Sequence, residues 1–138
     1  MKKCLGLIIM LAFTVMTQAQ TQWKILLNNQ LILSAESESE VKNKVKISAS
    51  AWQSSANLEI NFQGSPKPAW LHSIHITDME GVDKFIKDST MHTRVSVATL
   101  KKSLGRLKEF KIILVISPPD PLMMAPTRMI HLATLKLP

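Results

Sequence analysis

The sequence predicts an all-β fold, a two-sheet antiparallel sandwich of about eight strands with one crossover α-helix. Three observations carry that expectation. Several segments alternate apolar and polar residues with a period of two, as half-buried strands do. One run, Ile112 to Ile116, is apolar at every position and rich in β-branched residues. A strand solvated on one side would alternate, so this run is expected at the centre of a sheet, covered on both faces. The period changes only once, at Val97, Leu100, Leu104 and Leu107, which is the stripe of an amphipathic helix.

The first nineteen residues are expected to be an export signal and not part of the domain. Lys2 and Lys3 precede an apolar segment over residues 4–15, and Thr17-Gln18-Ala19 supplies the small residues of a cleavage site. That segment is shorter than the roughly 20 apolar residues a membrane-spanning helix needs. Cys4 opens the apolar run and does not stand at the cleavage point, so it is not placed to carry a lipid. Cleavage after Ala19 leaves residues 20–138 as a single domain, periplasmic or secreted, with no stable membrane insertion.

Cleavage also removes the one cysteine and two of the lysines, which takes the formal net charge from +7 to +5. The domain therefore has neither disulfide nor thiolate chemistry, although its compartment would permit disulfides. A modest positive balance suits solubility or an anionic partner. Nucleic acid is not expected, because no aromatic-interleaved basic motif is present.

In chain order, apolar-rich segments at residues 23–27 and 31–35 flank Asn28-Asn29, a pair that tolerates positive φ and suits a tight hairpin. Glu36-Ser37-Glu38-Ser39-Glu40 is expected to be a solvated loop. It lacks the glycine and spacing of a calcium loop. Residues 41–51 read as one half-buried strand with Val45, Ile47, Ala49 and Ala51 inward. Its outward lysines would guard a sheet edge. Trp52 falls on the lysine face of that strand, where an exposed indole would be available to stack on a sugar. Leu58, Ile60 and Phe62 point inward from the next strand. In residues 70–78, Trp70, His72, Ile74 and Ile76 share one face, with Leu71, Ser73, His75 and Thr77 on the other.

Residues 79–89 are mixed and polar and are expected to form a loop with one helical turn. A strand over residues 90–95 leads to the helix, for which Ser96 is the N-cap. Lys101, Lys102, Arg106 and Lys108 fall toward its C-terminal half, where the dipole favours cations. The central strand ends at Ser117-Pro118-Pro119-Asp120-Pro121, since proline gives no donor to a ladder. Asp120 is expected to be a turn residue with Arg128 as its ion-pair partner. A last strand covers residues 128–137. Closure into a barrel is the alternative to two open sheets.

No spacing carries catalytic chemistry. The serines lie outside any Gly-x-Ser-x-Gly elbow, and residues 20–138 hold three glycines, too few and too scattered for a phosphate-cradling loop. The sharpest functional pattern is a metal one. Imidazole and thioether together suit copper in an exported protein. Met129 and His131, two apart in a strand, share a face and are the candidate ligands. Met91 and His92 point to opposite faces, and His72 and His75, three apart, fail the same parity test. Methionine in a sandwich is more often core filler, so the leading expectation carries no metal and no cofactor.

Three segments are similar to small secreted β-domain proteins of Bacteroidota-type bacteria. They are Gln18-Ala19-Gln20, the strand from Trp70 to Asp78, and Ser117-Pro118-Pro119-Asp120-Pro121 continuing through Arg128 to His131-Leu132-Ala133-Thr134-Leu135. The resemblance implies an exported single β-domain and brings no activity or ligand. Composition and resemblance together point to a non-catalytic binding or interaction module of the periplasm or cell surface, monomeric or weakly associating. Its partner would be a protein or a glycan. A periplasmic copper-binding protein using His131 and Met129 is the alternative.

Overall fold

Alternation in the sequence becomes two open sheets that share one interior. A computed structural model describes residues 20–138, and the expected export signal lies outside the described residues. Nine strands and one helix follow in order: β1 (Gln22–Leu27), β2 (Gln30–Ala35), β3 (Lys44–Lys46), β4 (Asn57–Gln63), β5 (Leu71–Thr77), β6 (Asp83–Lys87), β7 (His92–Ser96), α1 (Val97–Leu104), β8 (Glu109–Ser117) and β9 (Arg128–Lys136). One sheet has the order β2-β1-β4-β7 and the other β3-β9-β8-β5-β6. The fold is thus an all-β two-sheet sandwich, and its sheets stay open where a barrel would close. Pairing is antiparallel except between β3 and β9, which run parallel.

The hairpin between β1 and β2 turns on Asn28 and Asn29, with φ of 51° and 65°. Both residues of a type I′ turn need positive φ, and asparagine accepts it more readily than most residues. From β1, Trp23, Ile25 and Leu27 point inward beside Leu58, Ile60 and Phe62 of β4. Trp23 stacks on Phe62 at 5.8 Å.

The apolar run of β8 occupies the middle of the five-stranded sheet, as its composition predicts. Phe110, Ile112, Leu114 and Ile116 have no exposure at all, and Ile113 on the opposite face is also buried. A bulge falls where Ile112 pairs with Ala133 but Ile113 pairs with His131, so Leu132 is the extra residue. The Leu132 carbonyl accepts a 2.9 Å hydrogen bond from Trp23 Nε1 in the other sheet. This contact ties the two sheets through a buried polar pair, which neither group can lose cheaply.

Helix α1 carries the chain from β7 in one sheet to β8 in the other. Ser96 Oγ accepts from the Thr99 N–H at 3.1 Å, so the expected N-cap is in place. Val97, Leu100 and Leu104 are buried. The helix stops at Gly105, whose φ of 60° takes the chain out of the helical path. Arg106 and Lys108 therefore lie beyond its last turn, and only Lys101 and Lys102 are near its C-terminal dipole. Leu107 packs on the core from the following loop.

Three sequence expectations are corrected. The strand expected over residues 41–51 is only Lys44–Lys46. Asn43 is buried and its Nδ2 donates to the Ser37 carbonyl, which bends the chain before the strand, while Val41 faces solvent. After Ile47 the Ser48 carbonyl accepts from the N–H groups of Ala51 and Trp52, and the strand becomes a turn. Parity therefore does not reach Trp52. It is only 7% exposed and packs against Phe110 at 6.0 Å, so it is core and not a sugar platform. Residues 83–87, expected within a loop, form edge strand β6 against β5. Its alternation is hidden because Phe85 is its one apolar residue packed on the core and a register shift interrupts the pairing.

Candidate functional site

The two sheets bury equivalent inner faces but present different outer ones. On the four-stranded sheet the register aligns Lys24 with Ser34 and Asn61, and Glu59 with Leu26 and Arg94. That face is polar apart from Leu26 and Leu31. On the five-stranded sheet, Val115 lies between Ser73 and Met129, and Ile113 lies between His75 and His131. Ile86 continues the second row beside His75. Leu71, Ile86 and Met129 are exposed on this face.

The loop from β8 to β9 extends the apolar surface at one end. Its chain is stiffened by prolines, which fix φ near −65°. Asp120 Oδ1 accepts from the Leu122 N–H at 2.9 Å, and its carbonyl accepts from the Met123 N–H at 3.0 Å. Asp120 is thus the turn residue expected. Among the described residues it forms no ion pair with Arg128, because its carboxylate is held inside its own turn. The turn projects Leu122 at 85% exposure and Met124 at 102%. Single exposed apolar residues are ordinary, but a group on one face and one adjoining loop is the usual mark of an interaction surface.

Both candidate metal ligands lie on this outer face. Met129 is exposed, and His131, two residues further along β9, is half-buried. Because the bulge at Leu132 shifts the parity, Thr134 returns to the same face, and His131 Nε2 lies 2.9 Å from Thr134 Oγ1. Without the extra residue a separation of three would place these side chains on opposite faces. His131 Nδ1 is buried and has no hydrogen-bond partner. Burial and the nearby Lys111 ammonium hold the imidazole below the usual histidine range, although Glu40, Glu38 and the Ala133 backbone act the other way. The backbone N–H of His131 donates to Glu38 Oε1 at 2.6 Å. The acidic loop is therefore more than solvated, since one of its carboxylates accepts from a part of β9 that β3, paired only over Thr134–Lys136, leaves uncovered.

The four histidines do not converge. His75 sits two strands from His131, about 9–10 Å away across Ile113. Its ring bridges Asp83 Oδ1 and Ser73 Oγ, each at 2.9 Å. His92 lies on the other sheet, with Nε2 3.7 Å from Glu59. His72 faces inward, and its Nε2 is 2.6 Å from Ser65 Oγ. Among the described residues no three of His, Cys, Asp and Glu group closely enough to hold a metal ion.

The Ser65–His72 contact was not visible in the sequence, since the two residues are seven apart across an irregular loop. It has the separation of a nucleophile and its base. Ser65 Oγ also accepts from the Lys67 N–H at 3.2 Å, and no carboxylate among the described residues bonds to His72. The pair pins the loop between β4 and β5, where Lys67 Nζ lies 4.5 Å over the Trp70 ring.

Among the described residues the geometry defines a nine-stranded β-sandwich. Its five-stranded sheet is apolar on its outer face toward the β8–β9 loop and polar, with Thr77, Lys111 and Thr134, toward its other end. Comparison with protein-family models, curated proteins and solved structures found no match for this chain. Among the described residues no helix is long and apolar enough to cross a membrane.

Proposed function

We propose that the protein is an exported, non-catalytic binding module that engages its partner through the outer face of the five-stranded sheet and the β8–β9 loop. The observation that carries this reading is the group of exposed apolar side chains Leu71, Met129, Leu122, Met123 and Met124 on one face and its adjoining loop. Unbranched methionine and leucine side chains adapt to a partner's contour, which suits a recognition surface. Protein and glycan are the partner classes. Replacing Leu122 and Met124 together by serine should abolish partner capture from intact cells while leaving the thermal unfolding midpoint in place. Undiminished capture by that variant would refute the reading.

A second reading rests on His131, whose Nδ1 is buried without a hydrogen-bond partner, and on Met129 two residues away on the same face. These two side chains would supply one imidazole and one thioether to copper once the His131 ring leaves its contact with Thr134. Native mass spectrometry with one equivalent of copper tests it. Retention of one ion, lost in His131→Gln, would favour copper over the partner reading, and no retention would dispose of it.

A further inference from the structure

We infer that β2 is a docking edge for a second copy of this chain, paired antiparallel so that the two four-stranded sheets form one continuous sheet. An unpaired edge invites a further strand unless charge, proline, brevity or a bulge blocks it. The sandwich has four edge strands. Three carry ionisable side chains: Lys44 and Lys46 on β3, Asp83, Lys84 and Lys87 on β6, and His92 and Arg94 on β7. The fourth, Gln30-Leu31-Ile32-Leu33-Ser34-Ala35, has none and contains no proline, and its one irregularity is the extra residue Ile32 in its pairing with β1.

The surroundings of β2 favour its own copy as the occupant. A two-fold axis between Ile32 and Leu33 places Leu31 opposite Ser34 of the second copy. A register shift in the β1–β2 pairing keeps both residues on the outer face although they are three apart. The same pairing sets Asn29 opposite Glu36 of the second copy. Arg94 Nη2 donates to Asn29 Oδ1 at 3.3 Å, so a guanidinium already stands at that end of the edge. Glu36, at the other end, is exposed. Antiparallel self-pairing thus brings each Arg94 guanidinium toward a Glu36 carboxylate of the other copy, twice in the dimer, with Lys24 opposite Ser34 and Lys42 also standing near the Glu36 end. A parallel arrangement would set like charges side by side. Closed two-fold dimers are also the commonest oligomers of soluble chains.

Sedimentation velocity over a concentration series, on protein purified from cells expressing the full chain, tests this inference. The expected result is a rise from monomer to dimer with concentration. Leu31→Lys, a change at an exposed side chain, should hold the protein monomeric with its circular dichroism unchanged. Arg94→Glu and Glu36→Arg should each weaken association about tenfold, because two exposed pairs are lost at once. Combining the two should restore it. A monomer at every concentration, a dimer indifferent to Leu31→Lys, or a double variant no tighter than the single ones would each overturn the proposal.

Discussion

The outer faces of the two sheets differ far more than their inner ones. Both inner faces are closed sets of apolar side chains, Ile25, Leu58 and Ile60 on one and Ile74, Ile112 and Leu114 on the other. Outside, the four-stranded sheet shows Lys24, Glu59, Asn61 and Arg94 with Leu26 and Leu31 among them, whereas the five-stranded sheet shows Leu71, Ile86, Val115 and Met129 around two histidines, with Lys111 beyond them. Folding buries the inner faces and, on the outer side, Ile113. The exposed apolar residues outside take no part in that burial, which is why the recognition role is assigned to them.

The largest expected effect separates inside from outside on a single strand. Leu114→Ala should destabilise the domain by about 2–5 kcal/mol, since the side chain is wholly buried and leaves a cavity. Its neighbour Val115→Ala, on the outer face, should cost less than about 1 kcal/mol. Chemical denaturation of both variants would show the gap, and equal losses would mean that the outer face is covered. Next comes the tie between the sheets. Trp23→Phe keeps the stack on Phe62 but leaves the Leu132 carbonyl without its donor, at a cost of about 1–3 kcal/mol.

A smaller effect is expected from pH. The folded-state pKa of His131 lies below its unfolded value, so the unfolded chain binds more protons in the interval between them. The stabilising contribution of neutral His131 is complete above about pH 6.5 and is lost as pH falls toward and through the folded value. His131→Gln should flatten the pH dependence of the unfolding midpoint across that interval. Least of all, Met124→Ser should leave stability within about 0.5 kcal/mol of the parent, because the side chain is fully exposed.

Much of the sandwich was legible because burial of one face imposes a rhythm on the residues. Leu58-Ile60-Phe62, the Asn28-Asn29 turn, the Ser96 cap and the unbroken run of β8 each carried a local signal that the fold obeys. What was not legible depends on a single long-range contact or one extra residue. The Asn43 side chain bonding to Ser37 and the turn at Ser48 end β3 early, and so Trp52 joins the core. β6 is a strand because β5 offers it an edge, not because its residues alternate. For the candidate site, the shared face of Met129 and His131 followed from parity. The Thr134 contact did not, because it requires the bulge at Leu132. The exposed tip at Leu122 and Met124 was hidden too, since prolines announce a turn without saying which side chains it projects.

The most direct test places a photo-cross-linking residue at matched central positions on the two outer faces, Val115 in β8 and Glu59 in β4. Irradiation of intact producing cells should trap a discrete adduct from position 115 and none from position 59. A discrete adduct from position 59 alone, or none from either face, would contradict the assignment of recognition to the five-stranded sheet.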